Sequence, residues 1–352
     1  MQGFKTTIEI EGALAQRDKG ALLIDARSPS EHAAETIPGA LNVAIFDDEE
    51  RARVGTLYKQ QGNREARRLG VELVAPKIPA LIRQVDEALP EKAQPVLVFC
   101  WRGGMRSRAL VDFLNLAGIP ARQIVGGHKA FRRYVLDYFE RAEWGRLLVL
   151  RGLTGTGKTR LLHELQAQDY PVLDLEGLAC HRGSAFGGVG LERQPTQKNF
   201  EALLWDAMRR IPVDGYALSE GESRHIGRLA LPKQVYDALQ VETSLWIDTP
   251  LEQRIDIILE DYPAREAQAA LFERPIKALT ERLGKKKIAS FLAYLERGEW
   301  RELVRELMID YYDPLYQHTC PERRVEIDMA SWADGLEQLK RAVELLVAGS
   351  ES

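Results

Sequence analysis

The feature that most constrains the fold of this chain is a glycine-rich octapeptide at residues 152–159, GLTGTGKT. It follows an apolar run at residues 146–150 and precedes helix-forming sequence. It matches the pattern G-x-x-x-x-G-K-[ST], in which backbone N–H groups of a tight strand-to-helix turn surround phosphate oxygens and the hydroxyl residue can bind Mg²⁺. The octapeptide therefore predicts a phosphate-binding loop, compatible with Mg²⁺, formed by Gly152, Gly155, Gly157, Lys158 and Thr159.

Further apolar runs suit a doubly wound parallel sheet. They lie at residues 172–175, 216–219, 244–248 and 324–328, with helical sequence between them. Strands that alternate with helices predict a parallel sheet covered on both faces. Glu220 and Glu222 follow one of these runs and are the first candidates for an acidic partner of the phosphate loop; Asp174 and Asp248, at other strand ends, come second. The alternative for each carboxylate is that it only caps or solvates a loop.

The first part of the chain shows the same alternation. Apolar runs at residues 21–25, 41–43 and 95–99 are typical of buried parallel strands, whereas residues 47–91 and 107–117 favour helices. A length of 352 residues exceeds one ordinary hydrophobic core. We therefore predict two α/β domains, residues 1–140 and residues 141–352, of which the second is P-loop NTPase-like.

A second glycine-rich turn contains a cysteine. Cys100 stands at the carboxyl end of an apolar run and is followed by WRGGMRS. Gly103 and Gly104 allow successive N–H groups to point at one spot beside a helix N-terminus, and Arg102 and Arg106 add positive charge. We predict that the sulfur is a thiolate at neutral pH and that the loop binds an oxyanion beside it, which suits attack on sulfur, selenium or phosphorus centres. The alternative is a structural cysteine buried at a strand end.

Composition excludes several classes of protein. The formal net charge of −4 means that a polyanionic partner would need a local basic patch. No apolar run approaches the roughly 20 residues that span a bilayer, and the N-terminus lacks the apolar region of a signal peptide. The three cysteines, Cys100, Cys180 and Cys320, are too far apart for a disulfide framework or a zinc site. We therefore expect a cytoplasmic protein with no membrane contact and no metal held by protein ligands alone.

Three other segments have compositions that suit ligand contact. Residues 265–287 hold seven basic and three acidic residues, which suits a lid over phosphates, an RNA contact or a solvated helix face. Residues 181–190 are rich in glycine and are predicted to close over a ligand. Residues 310–316 (DYYDPLY) combine aromatic and polar side chains, which suits either stacking on bases or packing between domains.

The first domain resembles the rhodanese fold. The resemblance rests on residues 23–31 (LIDARSPSE), residues 37–40 (IPGA) and the cysteine loop. Single-domain sulfurtransferases of this fold have an arginine five positions after the cysteine, whereas Arg106 stands six positions after Cys100. The longer loop resembles that of cell-cycle phosphatases with the same fold. It should admit an anion bulkier than the sulfur that thiosulfate transfers.

The order of motifs over the whole chain resembles the bacterial tRNA 2-selenouridine synthase family. The motifs are FCWRGGMRS at 99–107, the octapeptide at 152–159, HRGS at 181–184, EGESRHIG at 220–227 and YYDPLY at 311–316. The resemblance implies a transferase that acts on 2-thiouridine at the tRNA wobble position. Such an enzyme attaches a geranyl group from geranyl diphosphate to the sulfur, then replaces the geranylthio group with selenium from selenophosphate. Cys100 corresponds to the rhodanese cysteine that the family needs for selenation.

This resemblance also implies the partners. They are tRNA with 2-thiouridine at the wobble position and an enzyme that produces selenophosphate. We expect the diphosphate at the loop 152–159 and selenophosphate at the cysteine loop, and we treat covalent attachment of selenium to Cys100 as a hypothesis. Two other classes stay open. A rhodanese–kinase fusion that phosphorylates a small molecule should turn over ATP without tRNA, and a non-catalytic anion-binding module should tolerate the loss of Cys100 and Lys158.

Overall fold

The computed structural model of the chain describes residues 5–89, 95–241, 243–263, 265–317 and 321–349, so Cys320 lies outside the described residues. The chain folds into two compact units. The first comprises the chain up to Arg141 together with Glu201–Leu203, and the second comprises Ala142–Phe200 and the chain from Leu204 onward. Across these described ranges, no helix is long and apolar enough to cross a membrane.

The first unit is built on a five-stranded parallel sheet in the order β1-β5-β4-β2-β3. Its strands are β1 (Thr7–Ile8), β2 (Leu23–Asp25), β3 (Leu41–Asn42), β4 (Val96–Phe99) and β5 (Ala121–Ile124). Its helices are α1 (Ile10–Arg17), α2 (Pro29–Ala34), α3 (Asp48–Gln61), α4 (Asn63–Val74), α5 (Ile78–Asp86), α6 (Met105–Leu116) and α7 (Gly127–Arg141). The core between sheet and helices includes the fully buried Ile24, Val98 and Leu114.

The segment at residues 47–91, which is predicted to be helical, contains three separate helices in the structure over its described residues, 47–89. Gly62 has a positive φ of 88° and separates α3 from α4, because a left-handed residue cannot continue a right-handed helix. A short 3₁₀ turn, Ala75–Lys77, then separates α4 from α5. Helix α6 begins at Met105, two residues before the predicted start.

The second unit contains another five-stranded parallel sheet, in the order β12-β11-β6-β8-β7, and a two-stranded antiparallel ribbon of β9 and β10. Its strands are β6 (Arg146–Arg151), β7 (Val172–Leu173), β8 (Tyr216–Glu220), β9 (His225–Ile226), β10 (Leu229–Ala230), β11 (Ser244–Asp248) and β12 (Arg324–Asp328). The parallel sheets confirm the predicted α/β fold class.

Helices of the second unit fall into two groups. Those that accompany the sheet are α8 (Lys158–Gln166), α9 (Leu175–Ala179), α10 (Gln197–Met208), α11 (Lys233–Val241) and α17 (Trp332–Ala348). The others are α12 (Leu251–Asp261), α13 (Ala269–Ala278), α14 (Thr280–Arg297), α15 (Trp300–Leu307) and α16 (Asp313–Gln317), with a π-helical turn, Met308–Tyr312, before α16. We call α12 to α16 the helical segment; it has its own core, which includes Phe291 and Leu303.

A buried ion pair stabilises the end of β2. Arg27 donates to both carboxylate oxygens of Asp25, at 2.7 Å in the shortest contact, and both side chains are almost fully buried. Burial alone would raise the pKa of Asp25, but hydrogen bonds from His32 and Arg27 and the charge of Arg27 outweigh it and lower the pKa to about 2. This carboxylate therefore depends on its partners, because an unpaired buried charge is costly.

Replacement of Arg27 should strongly destabilise the first unit. Arg27→Met leaves the Asp25 carboxylate buried without its cation, at a cost of about 3–5 kcal/mol. The loss should appear as reduced hydrogen-exchange protection in peptides that contain Val96–Phe99. As a control, Arg68→Met removes only an exposed pair with Glu65, with an expected cost below about 1 kcal/mol. Equal protection in the two variants would contradict the prediction.

Candidate functional site

Glycines shape the loop that carries Cys100. Gly103 has a φ of 64°, and a side chain there would lie 2.8 Å from the carbonyl oxygen of Ile124. Gly127, at the start of α7, has a φ of 56°, and a Cβ atom on it would lie 2.1 Å from the carbonyl oxygen of Cys100. The loop can therefore pack closely on α7 only because both positions are glycine. The His128 N–H holds this arrangement by donating to that carbonyl at 2.8 Å.

The sulfur of Cys100 receives two hydrogen-bond donors. The Gly104 N–H lies 3.2 Å from Sγ, and the Ser107 hydroxyl lies 3.1 Å from it. Gln123 donates to the Ser107 oxygen at 2.8 Å, which orients the hydroxyl hydrogen toward the sulfur. The two donors hold the sulfur at a fixed place in the loop. The side chain is also buried, with 3% of its surface exposed, so a reagent must enter the loop to reach it.

The two arginines of the loop differ in their surroundings. Arg102 is exposed, whereas Arg106 pairs with the carboxylate of Glu31, with Nη2 3.2 Å from Oε1. Burial alone would raise the pKa of Glu31, but the hydrogen bond and charge of Arg106 lower it below its usual value. The charge of Arg106 is therefore shared with an anion of the protein. Its first role is to hold the start of α6 against α2, which carries Glu31.

The phosphate loop lies between β6 and α8, and its glycines permit close contacts. A Cβ atom on Gly152 would lie 2.4 Å from the Ile247 carbonyl oxygen, and one on Gly157 would lie 2.9 Å from the Trp332 ring. Gly155 has a φ of 78°, in the left-handed region. The loop therefore follows the course that its pattern predicts, with the backbone turned around a hollow.

Lys158 begins α8 and folds back over the loop. Its Nζ donates to the carbonyl oxygens of Leu153 at 3.1 Å and Gly152 at 3.3 Å. Burial lowers the pKa of this ammonium group, although the nearby carboxylates Glu176 and Glu222 act in the opposite direction. The lysine is thus held at the loop where a phosphate oxygen could replace the carbonyl contacts.

A pair of carboxyl groups adjoins the loop. The Thr159 hydroxyl donates to Glu176 at 3.0 Å, and Glu176 is hydrogen-bonded in turn to Glu222. Burial and the neighbouring Glu176 charge raise the pKa of Glu222 to about 8; burial also raises the pKa of Glu176. A pKa of about 8 favours the protonated form of Glu222 at neutral pH, and that form is the one able to donate to Glu176. Sequence reasoning missed Glu176, which stands in a short helix rather than at a strand end.

The other carboxylates have structural contacts. Glu220 is fully buried and accepts from the Leu175 N–H at 3.1 Å; burial raises its pKa well above the usual value. Asp174 caps the N-terminus of α9 by accepting from the Gly177 N–H at 2.6 Å. Asp248 is exposed at the end of β11. Within the described ranges, no cluster of three or more His, Cys, Asp or Glu side chains is arranged to hold a metal ion.

A large cleft opens over the phosphate loop. It has a volume of about 680 Å³, and its walls include Lys158, Glu222 and Tyr311. The glycine-rich segment at residues 181–190 forms another wall, because Arg182, Gly183, Ser184 and Ala185 line the same cleft. The phosphate loop is therefore one end of a site large enough for a ligand well beyond a diphosphate.

Two other predicted segments have defined contacts. In the basic segment, Lys287 pairs with Glu306 at 2.8 Å and Asp310 at 2.6 Å, while Lys285 and Lys286 are exposed. In the aromatic segment, the Asp313 carboxylate accepts hydrogen bonds from both terminal nitrogens of Arg254, at 3.0 and 2.5 Å. Sequence reasoning also missed Arg254, because a buried arginine within an amphipathic helix has no motif of its own.

Comparisons with known proteins match both halves of the chain. Residues 145–343 match the tRNA 2-selenouridine synthase AAA domain, and residues 10–134 match the rhodanese-like domain. A tRNA 2-selenouridine synthase of Nitrosomonas europaea is 35% identical over 86% of this chain and 90% of its own. The tRNA 2-selenouridine synthase of Hydrogenovibrio crunogenus is 35% identical over 90% of this chain and 94% of its own. That of Shewanella loihica is 37% identical over 85% of this chain and 87% of its own. The likeness thus extends through both units.

Removal of the Ser107 hydroxyl should make Cys100 less reactive. Ser107→Ala deletes one of the two donors that hold the sulfur in the loop. Alkylation by iodoacetamide at pH 7 should slow about tenfold, the factor that corresponds to loss of one hydrogen bond of about 1.4 kcal/mol. Peptide mass spectrometry gives the rate. Cys180, which is half-buried, provides the internal control in the same sample and should react at its wild-type rate. An unchanged Cys100 rate would refute the role of the hydroxyl.

The proton on Glu222 should make the stability of the second unit depend on pH. Because the pKa of Glu222 rises from 4.5 to about 8 on folding, its stabilising contribution is complete below pH 4.5 and is lost as the pH rises through 8. Glu222→Gln keeps a neutral donor at all pH values. In denaturant unfolding it should come close to the wild type near pH 5 and exceed it by about 3–4 kcal/mol near pH 8.

The matched control for this prediction is Glu192→Gln, which changes an exposed glutamate of the same unit. Its effect on the free energy of unfolding should be the same at both pH values. Parallel curves of stability against pH for Glu222→Gln and the wild type would show that Glu222 does not hold the proton.

Proposed function

The chain belongs to the tRNA 2-selenouridine synthase family, and we propose on this basis that it replaces the sulfur of 2-thiouridine at the tRNA wobble position by selenium. It is a transferase. The observation that supports the proposal most is that one chain has two separate loops shaped for oxyanions, one of which holds a cysteine sulfur beside hydrogen-bond donors. The two loops suit the two successive steps that the family resemblance implies.

In the first proposed step, the sulfur of 2-thiouridine attacks C1 of geranyl diphosphate. An S–C bond forms, the C1–O bond breaks, and diphosphate leaves with the electron pair of that bond. The base loses its N3 proton to solvent, which gives S-geranyl-2-thiouridine. The protein must bind the diphosphate and stabilise the negative charge that develops on the leaving oxygen.

We assign the diphosphate to the phosphate loop. The loop supplies backbone donors, and Lys158 is held by the Leu153 carbonyl, a contact that a phosphate oxygen can replace. The Thr159 hydroxyl and the Glu176 carboxylate, 3.0 Å apart, are the hard oxygen donors that Mg²⁺ prefers. These two residues would hold the ion together with the diphosphate. When bound, Mg²⁺ supplies further neutralisation of the leaving group.

In the second proposed step, the selenium of selenophosphate attacks C2 of the geranylated base. A C–Se bond forms, the C–S bond breaks, and geranylthiolate leaves and takes a proton from solvent. Water then cleaves the Se–P bond, which gives 2-selenouridine and inorganic phosphate. Selenophosphate is a tetrahedral oxyanion, and we assign it to the loop formed by Arg102, Gly103, Gly104 and Arg106, the last of which is paired with Glu31.

Cys100 is proposed to act in this second step as a thiolate beside the bound selenophosphate. Direct capture of selenium as an S–Se⁻ group would require selenium to lose two electrons, and phosphorus would have to take them and leave as phosphite. Covalent selenium on Cys100 therefore predicts phosphite as the product, whereas direct transfer to the base predicts phosphate. The covalent form stays a hypothesis, which the mass of the Cys100 peptide trapped during turnover would test.

The proposed partners follow from these steps. The polynucleotide substrate is tRNA with 2-thiouridine at the wobble position, and a selenophosphate-producing enzyme supplies the selenium donor. We propose that the reaction takes place in the cytoplasm, with the tRNA contacted through local basic groups, since the whole chain carries a net charge of −4. Lys285 and Lys286, which are both exposed, suit such a contact.

Loss of the cysteine and loss of the loop lysine should block different steps. Cys100→Ala should lower selenation at least about a hundredfold and leave geranylation within about twofold of wild type, because the sulfur serves only the second step. Lys158→Ala should lower geranylation about a hundredfold or more, as expected when a group that stabilises the leaving charge is removed. Mass spectrometry of nucleosides from 2-thiouridine tRNA incubated with each co-substrate measures both products.

The control is Cys180→Ala, which removes the other described cysteine and should leave both steps unchanged. Normal geranylation by Lys158→Ala would contradict the assignment of the diphosphate to the phosphate loop. Normal selenation of geranylated tRNA by Cys100→Ala would contradict the role of the sulfur. ATP turnover that does not depend on tRNA would favour a rhodanese–kinase fusion instead.

A further inference from the structure

A second, smaller cavity lies in the helical segment. Its volume is about 60 Å³, and its walls are mainly hydrocarbon, with Phe186, Phe272, Trp300, Leu303, Val304 and Leu307 among them. On the same scale one water molecule needs about 10–15 Å³, so the cavity has room for roughly four waters or a small branched hydrocarbon group. A space with such walls is unfavourable for water and favourable for an apolar ligand.

This cavity adjoins the cleft over the phosphate loop. Thr154, Ser184, Ile258, Tyr262 and Tyr312 line both spaces. Thr154 belongs to the phosphate loop itself, so the boundary that the two spaces share, which we call the mouth, adjoins the hollow of that loop. A ligand with an anionic head and an apolar tail would therefore find a matching environment at each end.

Aromatic contacts hold the walls in place. The Phe272 ring packs on Phe186 at 6.1 Å, on Tyr262 at 5.6 Å and on Trp300 at 5.1 Å between ring centroids. The Tyr262 hydroxyl donates to the Phe186 carbonyl at 3.2 Å, so its polar end is bound to the backbone. Arg265, a charged residue of the wall, directs Nη1 to the carbonyl oxygens of Leu259 and Tyr262. Its Nε is buried without a hydrogen-bond partner among the described residues, so it is the one buried polar atom of these side chains left unengaged beside a wall of mainly hydrocarbon.

We propose that this cavity, which we call the tail pocket, binds the distal isoprene unit of a prenyl diphosphate whose diphosphate lies on the phosphate loop. The inference rests on the proposed function and adds the position of the hydrocarbon chain. The first isoprene unit lies in the shared mouth beside Thr154 and Ile258, where C1 remains next to the leaving group and open to the cleft. A C5 chain ends in the mouth, a C10 chain reaches the tail pocket, and a C15 chain exceeds it.

Calorimetric titration of the full-length protein with Mg²⁺ and a series of diphosphates tests this proposal. The probes are inorganic diphosphate and the dimethylallyl, geranyl and farnesyl diphosphates. The wild type should bind geranyl diphosphate at least about tenfold more tightly than inorganic or dimethylallyl diphosphate, because burial of the distal unit removes several apolar groups from water. Farnesyl diphosphate should bind no better than the geranyl compound.

Val304→Phe tests the tail pocket directly, because Val304 lines it and a phenylalanine there would occupy part of the space. Val304 is only half-buried, so the fold should tolerate the larger side chain. This variant should lose at least about tenfold in affinity for geranyl diphosphate and stay within about twofold for inorganic diphosphate. The matched control is Leu292→Phe. It adds an aromatic ring to the same helical segment at a half-buried position outside the lining of the cavity, and should bind both probes as the wild type does.

Val304→Ala gives an independent test that does not depend on tolerance of a larger side chain. It widens the tail pocket and should raise the affinity for farnesyl diphosphate relative to geranyl diphosphate about fivefold or more. Unchanged selectivity for chain length in both Val304 variants would overturn the pocket alone, provided that inorganic diphosphate still binds and needs Lys158. Absence of any Lys158-dependent diphosphate binding would overturn both the pocket and the proposed assignment of the diphosphate to the phosphate loop.

Discussion

The buried guanidinium of Arg254 is the interaction on which the second unit most depends. Its Nε donates to the Thr154 carbonyl of the phosphate loop at 2.9 Å, and its terminal nitrogens bind the Asp313 carboxylate. A loop with three left-handed or extended glycines has little rigidity of its own, so an external bond to its backbone limits its motion. Through this one side chain, the loop and helix α16 have a common anchor. The bidentate geometry also explains why a lysine would be a poor substitute.

That anchor places the helical segment beside the phosphate loop. Met308 and Ile258 approach Gly155 so closely that a Cβ atom there would lie 2.9 Å from each. The residues that form the apolar cavity are therefore the neighbours of the loop rather than a remote core. A single packing arrangement can thus serve two purposes, because it supports the loop and creates an apolar space beside it.

The sequence predicted the parts of this molecule that depend on local pattern. The octapeptide at 152–159 and the turn after Cys100 are contiguous, so their glycines and strand-to-helix context are visible without a structure. Contacts between distant residues were not predictable. Gln123 reaches the Ser107 hydroxyl, which donates to the sulfur, only because α6 and β5 converge there, and Glu176 of α9 reaches Thr159 of α8. The two-residue edge strand Thr7–Ile8 was likewise too short to give a periodic signal.

The protonated carboxyl of Glu222 addresses a problem of charge at the phosphate loop. Glu176, Glu220 and Glu222 surround a lysine whose pKa burial lowers, and three ionised carboxylates there would repel a diphosphate. Burial raises the pKa of Glu220 well above its usual value and, with the Glu176 charge, raises that of Glu222 to about 8, so burial reduces the negative charge beside the lysine. The Glu176 carboxylate lies next to the Thr159 hydroxyl. If a divalent cation bound there, this carboxylate would be a ligand of the cation instead of a group that repels a bound anion. The raised pKa values of Glu220 and Glu222, and a cation at Glu176, would therefore both lower the repulsion between these carboxylates and a diphosphate in the loop.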